Sequence, residues 1–348
     1  MTNEAVKVNT KFEIIKYGMP GFKSQLDSFI ATSLTNPIYS SQFCDYYREL
    51  GHEPQENRSI IVGSPGKELV GLLFSTPTQP GTKNHQISYF GLPSALLVSR
   101  TAAIEEVNGA THILLQELNN SNILVTNGRI RNPHDFLIDT HALRSNKIEK
   151  LFFSDSKVTL KFDRILDLSR SPELVRSEYS KSARDAIKNQ SLDIKLISSE
   201  SSQDAIKYEF ESLKRLHFLS SGKLTRSERS WDLQLQMIQN GSGVIVSGST
   251  EKKVMTSALF MINSDAAFYG VSASEPSQER DGLSHQLIDF AIREFPKLGI
   301  HNIWMGAQHS SVTVQVSKKE QQIEEFKSYF GGSLHTSLIA RSEYLIES

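Results

Sequence analysis

Two stretches of the chain carry the same succession of apolar and polar runs. In the first, Ile60-Ile61-Val62, a turn at Ser64-Pro65-Gly66 and the run of residues 69–76 (LVGLLFST) predict a hairpin, followed by a strand over residues 87–91 (ISYFG). In the second, Val244-Ile245-Val246, a turn near residues 249–252 and the run of residues 254–262 (VMTSALFMI) predict another, followed by Ala267-Phe268-Tyr269-Gly270. Short apolar runs bounded by turn residues read as strands. Each half then enters a helical stretch, residues 101–118 and 282–298, and a short apolar strand, Ile123-Leu124-Val125 and Ile303-Trp304-Met305. One order at matched spacing predicts two copies of a single α/β unit, against the alternative that a common order recurs by chance.

Between the halves, residues 171–190 predict one amphipathic helix: Ser171 is a cap, Pro172 takes the first position and Glu173 favours the positive end of the dipole. Val175, Tyr179, Ala183, Ala186 and Ile187 share one side, with Lys181, Arg184 and Lys188 opposite. With Glu178 and Asp185 adjacent, the basic stripe also reads as an ordinary solvated face. The helix over 282–298 buries Leu283, Leu287, Phe290, Ala291, Phe295 and Leu298 and stops at Gly299. A further helix over 319–330 aligns Ile323, Phe326 and Phe330 and ends at Gly331-Gly332, where a left-handed cap is easy. Residues 334–340 predict the last strand.

Composition narrows the class. At 348 residues the chain has room for about two domains. Its 38 Lys and Arg balance 39 Asp and Glu, a net charge of −1, with a pI near 6.8. That balance argues against a protein that coats DNA, while leaving room for a local basic groove. A single cysteine, Cys44, excludes an internal disulfide and a cysteine-based zinc cluster and suits a reducing compartment. Residues 1–11 carry no apolar signal region, and no run approaches the roughly 18 apolar residues of a membrane span, so a cytoplasmic protein is expected.

Several chemistries lack their motifs. The ten histidines form no HExxH or Cys/His ligand set, and the pairs His134/His141 and His301/His309 lack a metal spacing, so no metal site is expected. There is no GxxxxGK[ST] loop, no GxGxxG after a strand and no GxSxG elbow. Cys44, in an amphipathic stretch, reads as a small buried residue rather than a nucleophile.

Two segments resemble the Fem-type aminoacyltransferases, the FemAB-like family of tandem GNAT-fold acyltransferases. Residues 162–197 (FDRILDLSRSPELVRSEYSKSARDAIKNQSLDIKLI) are similar to the family's junction between domains, and residues 323–332 (IEEFKSYFGG) to its Phe-Lys-x-x-Phe-Gly ending. Residues 269–307 between them keep the family's strand, loop, helix, strand order. The resemblance implies an α/β (α+β) fold of two GNAT-like domains, each a mixed sheet flanked by helices. The first, 1–168, would be degenerate and on the acceptor side; the second, 169–348, would be the donor and catalytic side. It implies transfer of an activated aminoacyl or acyl group to a primary amine of an envelope precursor, as in peptidoglycan or surface-polysaccharide biosynthesis.

Carried over residue by residue, the resemblance makes Phe326 and Lys327 the catalytic pair. A fixed cation beside a developing oxyanion supplies about 2.7–4 kcal/mol; a lysine merely complementing a helix end is the other reading. Gly282, Leu283 and Ser284 stand where the superfamily's donor loop, Q/R-x-x-G-x-G/A, is reduced to Glu279-Arg280-Asp281-Gly282-Leu283-Ser284. The first turn still offers free N–H groups to an anion, with Glu279 and Asp281 opposing it. Tyr269 and Ser272 join the donor-binding candidates, with packing as the alternative for Tyr269; Arg184, Lys181, Lys188 and Tyr89 are acceptor-binding candidates, arginine being the natural phosphate partner. No tightly bound cofactor is implied. The donor is an aminoacyl-tRNA, which the degraded loop suits, or an acyl-CoA or acyl-carrier protein, which the charge balance suits; the acceptor is a small-molecule or lipid-linked precursor. An N-acyltransferase acting on an amino sugar and a non-catalytic binding protein of the same fold are the alternatives.

Overall fold

The computed structural model describes residues 12–33, 36–50, 56–77, 85–87, 94–120, 125–126, 129–130, 136–138, 156–188, 192–223, 225–251, 253–276, 282–308 and 317–342. Among them twelve strands form one mixed sheet. In chain order they are β1 (Ile14–Lys16), β2 (Ile60–Val62), β3 (Leu69–Leu72), β4 (Ser94–Val98), β5 (Phe136–Ile138), β6 (Ser156–Asp167), β7 (Asp193–Ile197), β8 (Gly243–Thr250), β9 (Lys253–Asn263), β10 (Ala266–Ser274), β11 (Asn302–Gln308) and β12 (Ser333–Ser342). The helices are α1 (Phe22–Thr32), α2 (Ser41–Leu50), α3 (Ile104–Asn120), α4 (Pro172–Ser177), α5 (Lys181–Lys188), α6 (Gln203–Ser221), α7 (Glu228–Gln239), α8 (Leu283–Glu294) and α9 (Lys318–Ser328).

The sheet runs β1-β2-β3-β4-β5-β12-β6-β11-β10-β9-β8-β7. The repeated order seen in the sequence is a repeated pairing. Strand β2 is antiparallel to β3, β3 to β4, and β4 is parallel to β5; β8, β9, β10 and β11 follow the same pattern. The two halves meet where β12, the end of the chain, lies between β5 and β6, pairing Leu338 to Ala340 with β5 and ten residues with β6.

Alternating side chains put opposite sheet faces into different cores. One core spans both halves: Leu26 and Phe29 of α1, Phe43 of α2, Val70 and Leu97 meet Phe210, Leu213, Trp231, Leu259 and Val271. On the other face α3 covers the first half through Val107, Ala110 and Leu114, and α8 covers the second through Leu287, Ile288, Ala291 and Ile292. Cys44 is buried in the shared core, as its pattern predicts, and burial pushes its thiol up.

Four local expectations are corrected. The run over 69–76 breaks at Leu73, whose N–H donates to Ser59 Oγ at 3.0 Å, and Phe74–Pro77 joins a separate small sheet with Glu56–Asn57 and His85–Ile87. By its pairing the counterpart of β10 is β4; of the strand expected over 87–91, Ile87 belongs to the small sheet and residues 88–91 lie outside the described residues. The counterpart of β11 is β5, whereas Val125 sits in a two-stranded ribbon with Arg129–Ile130; Ile123 and Leu124 lie outside the described residues. Short apolar runs look alike, and periodicity alone does not rank them.

The helix over 171–190 is two helices. Ser180 turns its N–H to Tyr329 O at 2.8 Å and caps α5 by accepting from Ala183 N at 3.1 Å, so a distant segment breaks the helix. Last, Leu298 and Ile323 are exposed; Leu298 falls in a terminal 3₁₀ turn, Phe295–Leu298, that carries Pro296.

Candidate functional site

Strands β10 and β11 pair only from Ala266–Asn302 to Phe268–Trp304. Just beyond, each carries an extra residue against its outer neighbour, Gly270 on β10 and Met305 on β11. A bulge bends its strand and ends regular pairing, and the two parallel strands part here. The Phe-Lys pair from the last turn of α9 straddles the parting. The Phe326 ring lies 6.4 Å from Tyr269 on the α8 face, while Lys327 Nζ reaches Gly306 on β11. A Cβ on Gly306 would stand 3.2 Å from that nitrogen and 3.6 Å from the Phe268 ring, and the residue's φ of +86° suits glycine alone. Phe268 in turn packs edge-on against Phe43 of α2, with ring centroids 6.3 Å apart.

Burial holds Lys327 below the ordinary lysine range, and Asp163 and then Glu324 pull the other way, with Lys161 adding to the depression. Asp163, on β6, is 3% exposed and pairs with Lys161 at 3.1 Å; Glu324 is buried one turn before the lysine. The lysine thus sits in a low-dielectric setting with carboxylates that favour its charged form.

Phe326 is packed rather than free. It meets Phe330 at 5.5 Å and His285 at 4.9 Å, both nearly perpendicular. His285 also stacks on Tyr329, and both of its ring nitrogens are buried without a hydrogen-bond partner among the described residues, so desolvation lowers its pKa. The following glycines adopt the left-handed cap predicted, with φ of +74° and +81°. Gly332 N donates to Glu178 Oε2 at 3.0 Å and Gly331 O accepts from Arg164 Nη1 at 2.6 Å. The FGG ending is a clasp that ties α9 to β6 and to the break between α4 and α5.

The donor candidates fall on the α8 face of the parting. Gly282 precedes α8 with φ +68°, and its Cα faces Ala186 of α5 so closely that a Cβ there would overlap it. Ser284 Oγ lies 3.1 Å from Ser274 Oγ, which bonds Thr256 at 2.8 Å. Tyr269 hydrogen-bonds Ser272, and burial pushes its hydroxyl up to about 12. Leu283 is buried apolar packing, which leaves its backbone N–H as the group able to meet a ligand.

Among the acceptor candidates, Lys181, Arg184 and Lys188 are exposed on α5, which packs on α8 beside Gly282; the stripe therefore lies with the donor candidates. Arg184 donates to Tyr179 O and Lys188 to Asp185 at 2.8 Å. Tyr89 lies outside the described residues. Sequence reasoning did not find Asp163, Glu324 or His285, which come from three elements; only Glu324, one helical turn before Lys327, had a local signal. Among the described residues no group of His, Cys, Asp and Glu could hold a metal ion, and no helix is long and apolar enough to cross a membrane.

No protein-family model and no curated protein matches the chain. Its fold is similar to that of FemX, with a TM-score of 0.64 and 11% identity over 95% of this chain and 97% of that one. It is also similar to a conserved protein of unknown function from Bacteroides thetaiotaomicron VPI-5482 (0.58; 11%; 94% and 100%). L-PGS from Bacillus licheniformis shares the architecture too (0.54; 9%; 93% and 93%). At these identities the likeness speaks to architecture alone, and the architecture is the α/β fold that the FemAB-like resemblance implies, shared over nearly the whole chain.

Proposed function

We propose that the protein is a FemAB-like acyltransferase that moves an activated aminoacyl or acyl group onto a primary amine of a cell-envelope or surface-glycan precursor, working in the cytoplasm. One observation carries the reading: Lys327 is half-buried at the parting of β10 and β11, its amine over a glycine that leaves room for it. The donor's carbonyl would lie on the α8 face near Tyr269 and Ser272, with the first turn of α8 toward the rest of the donor. The neutral acceptor amine attacks, forming a C–N bond, and negative charge gathers on the carbonyl oxygen. Lys327 in its protonated form, which burial disfavours and Asp163 and Glu324 favour, stabilises that oxygen by about 2.7–4 kcal/mol. The intermediate collapses by breaking the C–O bond of an aminoacyl ester or the C–S bond of a thioester, and the amine's proton ends on the leaving oxygen or sulfur. Phe326, held by its aromatic neighbours, positions the lysine.

A thioester donor, acyl-CoA or an acyl-carrier protein, with an amino sugar as acceptor is the second reading, supported by the net charge of −1, since tRNA binding calls for a broad basic surface. A purely binding protein of this fold gives no reason to bury the lysine. The test uses the wild-type chain and Lys327→Ala with alanyl-tRNA or acetyl-CoA, offered a nucleotide-linked amino peptide or glucosamine. Lys327→Ala should lower kcat by about 10²–10³ with KM and the melting temperature nearly unchanged. Equal turnover by the two proteins overturns the assignment.

A further inference from the structure

Both halves of the chain line one cavity at the ends of β10 and β11 opposite their parting. Its volume is about 260 Å³, the space of roughly eight or nine waters at about 30 Å³ each. The first half supplies the last turn of α1, Pro37 and Arg100, which follows β4. The second supplies Asn263 at the end of β9, Asp265 in the turn that follows, and Asn302 and Trp304 of β11. Asn302 precedes Gly306 by four residues, about 13 Å of strand, so the cavity is separate from the place of the Lys327 amine.

Groups suited to opposite charges line this space. Arg100 is exposed and offers a planar fork of N–H donors that fits a carboxylate at two points. The Nδ2 of Asn263 is buried without a hydrogen-bond partner among the described residues, a donor that is costly until an acceptor reaches it. Asp265 is fixed by its backbone, whose carbonyl accepts from His301 N at 2.6 Å and from Asn302 N at 3.1 Å. Its exposed carboxylate pairs with no cation among the described residues. Helix α1 ends on the cavity through Ile30, Ala31 and Thr32, whose carbonyls have no partner within the helix and form the negative end of its dipole.

We propose that this cavity is a binding site for a free α-amino acid with an apolar side chain. The ligand's carboxylate goes to Arg100 and the Asn263 amide, its ammonium to Asp265 and the carbonyls that end α1, and its side chain to Ile30 and Pro37. An anion alone would meet like charge at Asp265 and the helix end, and a cation alone would meet it at Arg100; a zwitterion satisfies both. Because Arg100 and Asp265 come from different halves, the bound molecule joins them. The site stands whether or not Lys327 takes part in transfer.

The test follows the melting temperature of the full-length protein, with no acyl donor present, as three compounds are added separately. They are L-leucine, N-acetyl-L-leucine, which lacks the ammonium, and L-leucinamide, which lacks the carboxylate. Each is taken to about 50 mM, well beyond the millimolar affinity that a few polar contacts to a small ligand supply. Leucine should raise the melting temperature with concentration, and each derivative should bind at least about tenfold more weakly. Arg100→Gln should weaken leucine about tenfold and leave leucinamide unaffected; Asp265→Asn should weaken leucine by a similar factor and leave N-acetyl-leucine unaffected. Both side chains are exposed, so the variants should fold, and wild-type melting temperatures without ligand check this. Lys327→Ala should bind leucine as wild type does, which separates failure of this site from failure of the transfer reading. No shift with leucine, equal affinity for the three compounds, or variants that bind leucine as wild type does would each overturn the proposal.

Discussion

The two halves share a strand order and differ in what they place on it. Strand β4 is buried along its whole length by Ala95, Leu96, Leu97 and Val98, and its pairing with β3 runs without a shift of register. Its counterpart β10 is interrupted by the bulge at Gly270 and carries Tyr269, Ser272 and Ser274 on the face toward α8. One strand fills a core, whereas the other trades hydrocarbon for hydroxyls where its parallel neighbour departs. The difference teaches that the repeated strand order supplies a frame twice, with the proposed site on one copy only: the first half's sheet buttresses the second through a core that runs across both.

That contrast breaks if a core substitution in the first half lowers turnover per folded molecule, or if a substitution at the parted strands of the second half leaves turnover unchanged. The largest expected effect is in the first: Leu97→Ala removes buried methyl groups from the shared core and should cost about 2–5 kcal/mol of stability. It should leave kcat per folded molecule at its wild-type value, measured by chemical denaturation alongside turnover below the unfolding transition. A large fall in kcat without loss of stability would place chemistry in the first half.

In the second half the expected order is reversed. Gly306→Ala puts a methyl group 3.2 Å from Lys327 Nζ at a backbone angle that costs an alanine about 1–2 kcal/mol. The amine must give way by a few tenths of an ångström, and turnover is expected to fall about tenfold. Gly71→Ala on β3 is the matched control: the added methyl meets the Leu114 side chain at 3.2 Å, which can yield, and turnover should be unaffected. Equal effects of the two substitutions on turnover would show that the parting of β10 and β11 is not special.

What the sequence disclosed follows the range of the forces involved. The hairpin strands at 60–62 and 244–246, the buried faces begun by Leu287 and Ala291, the left-handed Gly331-Gly332 cap and the burial of Cys44 rest on local patterns, and they are there to be read. Placing β12 between β5 and β6 joins residues about two hundred positions apart and leaves no local trace. The break at Ser180 is made by the carbonyl of Tyr329, and the carboxylate that opposes the effect of burial on Lys327 comes from Asp163 on a distant strand. The Phe-Lys-x-x-Phe-Gly segment was the informative exception, since one short sequence combines the lysine, its aromatic support and the clasp that seats them.

The smallest expected effect asks whether Asp163 acts on Lys327 through charge. Burial disfavours the lysine's cation, and the carboxylate favours it; removing the negative charge while keeping the shape therefore lowers the lysine's pKa further. In the proposed mechanism the oxyanion is stabilised by the protonated form, so activity should be present below the lysine's pKa and lost as pH rises through it. In wild type that loss should begin below the ordinary lysine value of 10.5, and in Asp163→Asn the alkaline limb of kcat should move to still lower pH, with the acid side of the profile unchanged. A merely structural role for Asp163, through its pair with Lys161 at 3.1 Å, would reduce the melting temperature and leave the limb where it stands. Lys161→Gln separates the two: it breaks the same pair but removes a cation that depresses Lys327, so its limb should shift toward higher pH, opposite to that of Asp163→Asn. Shifts in the same direction would mean that the limb belongs to some other group and that the lysine's charge does not set the rate.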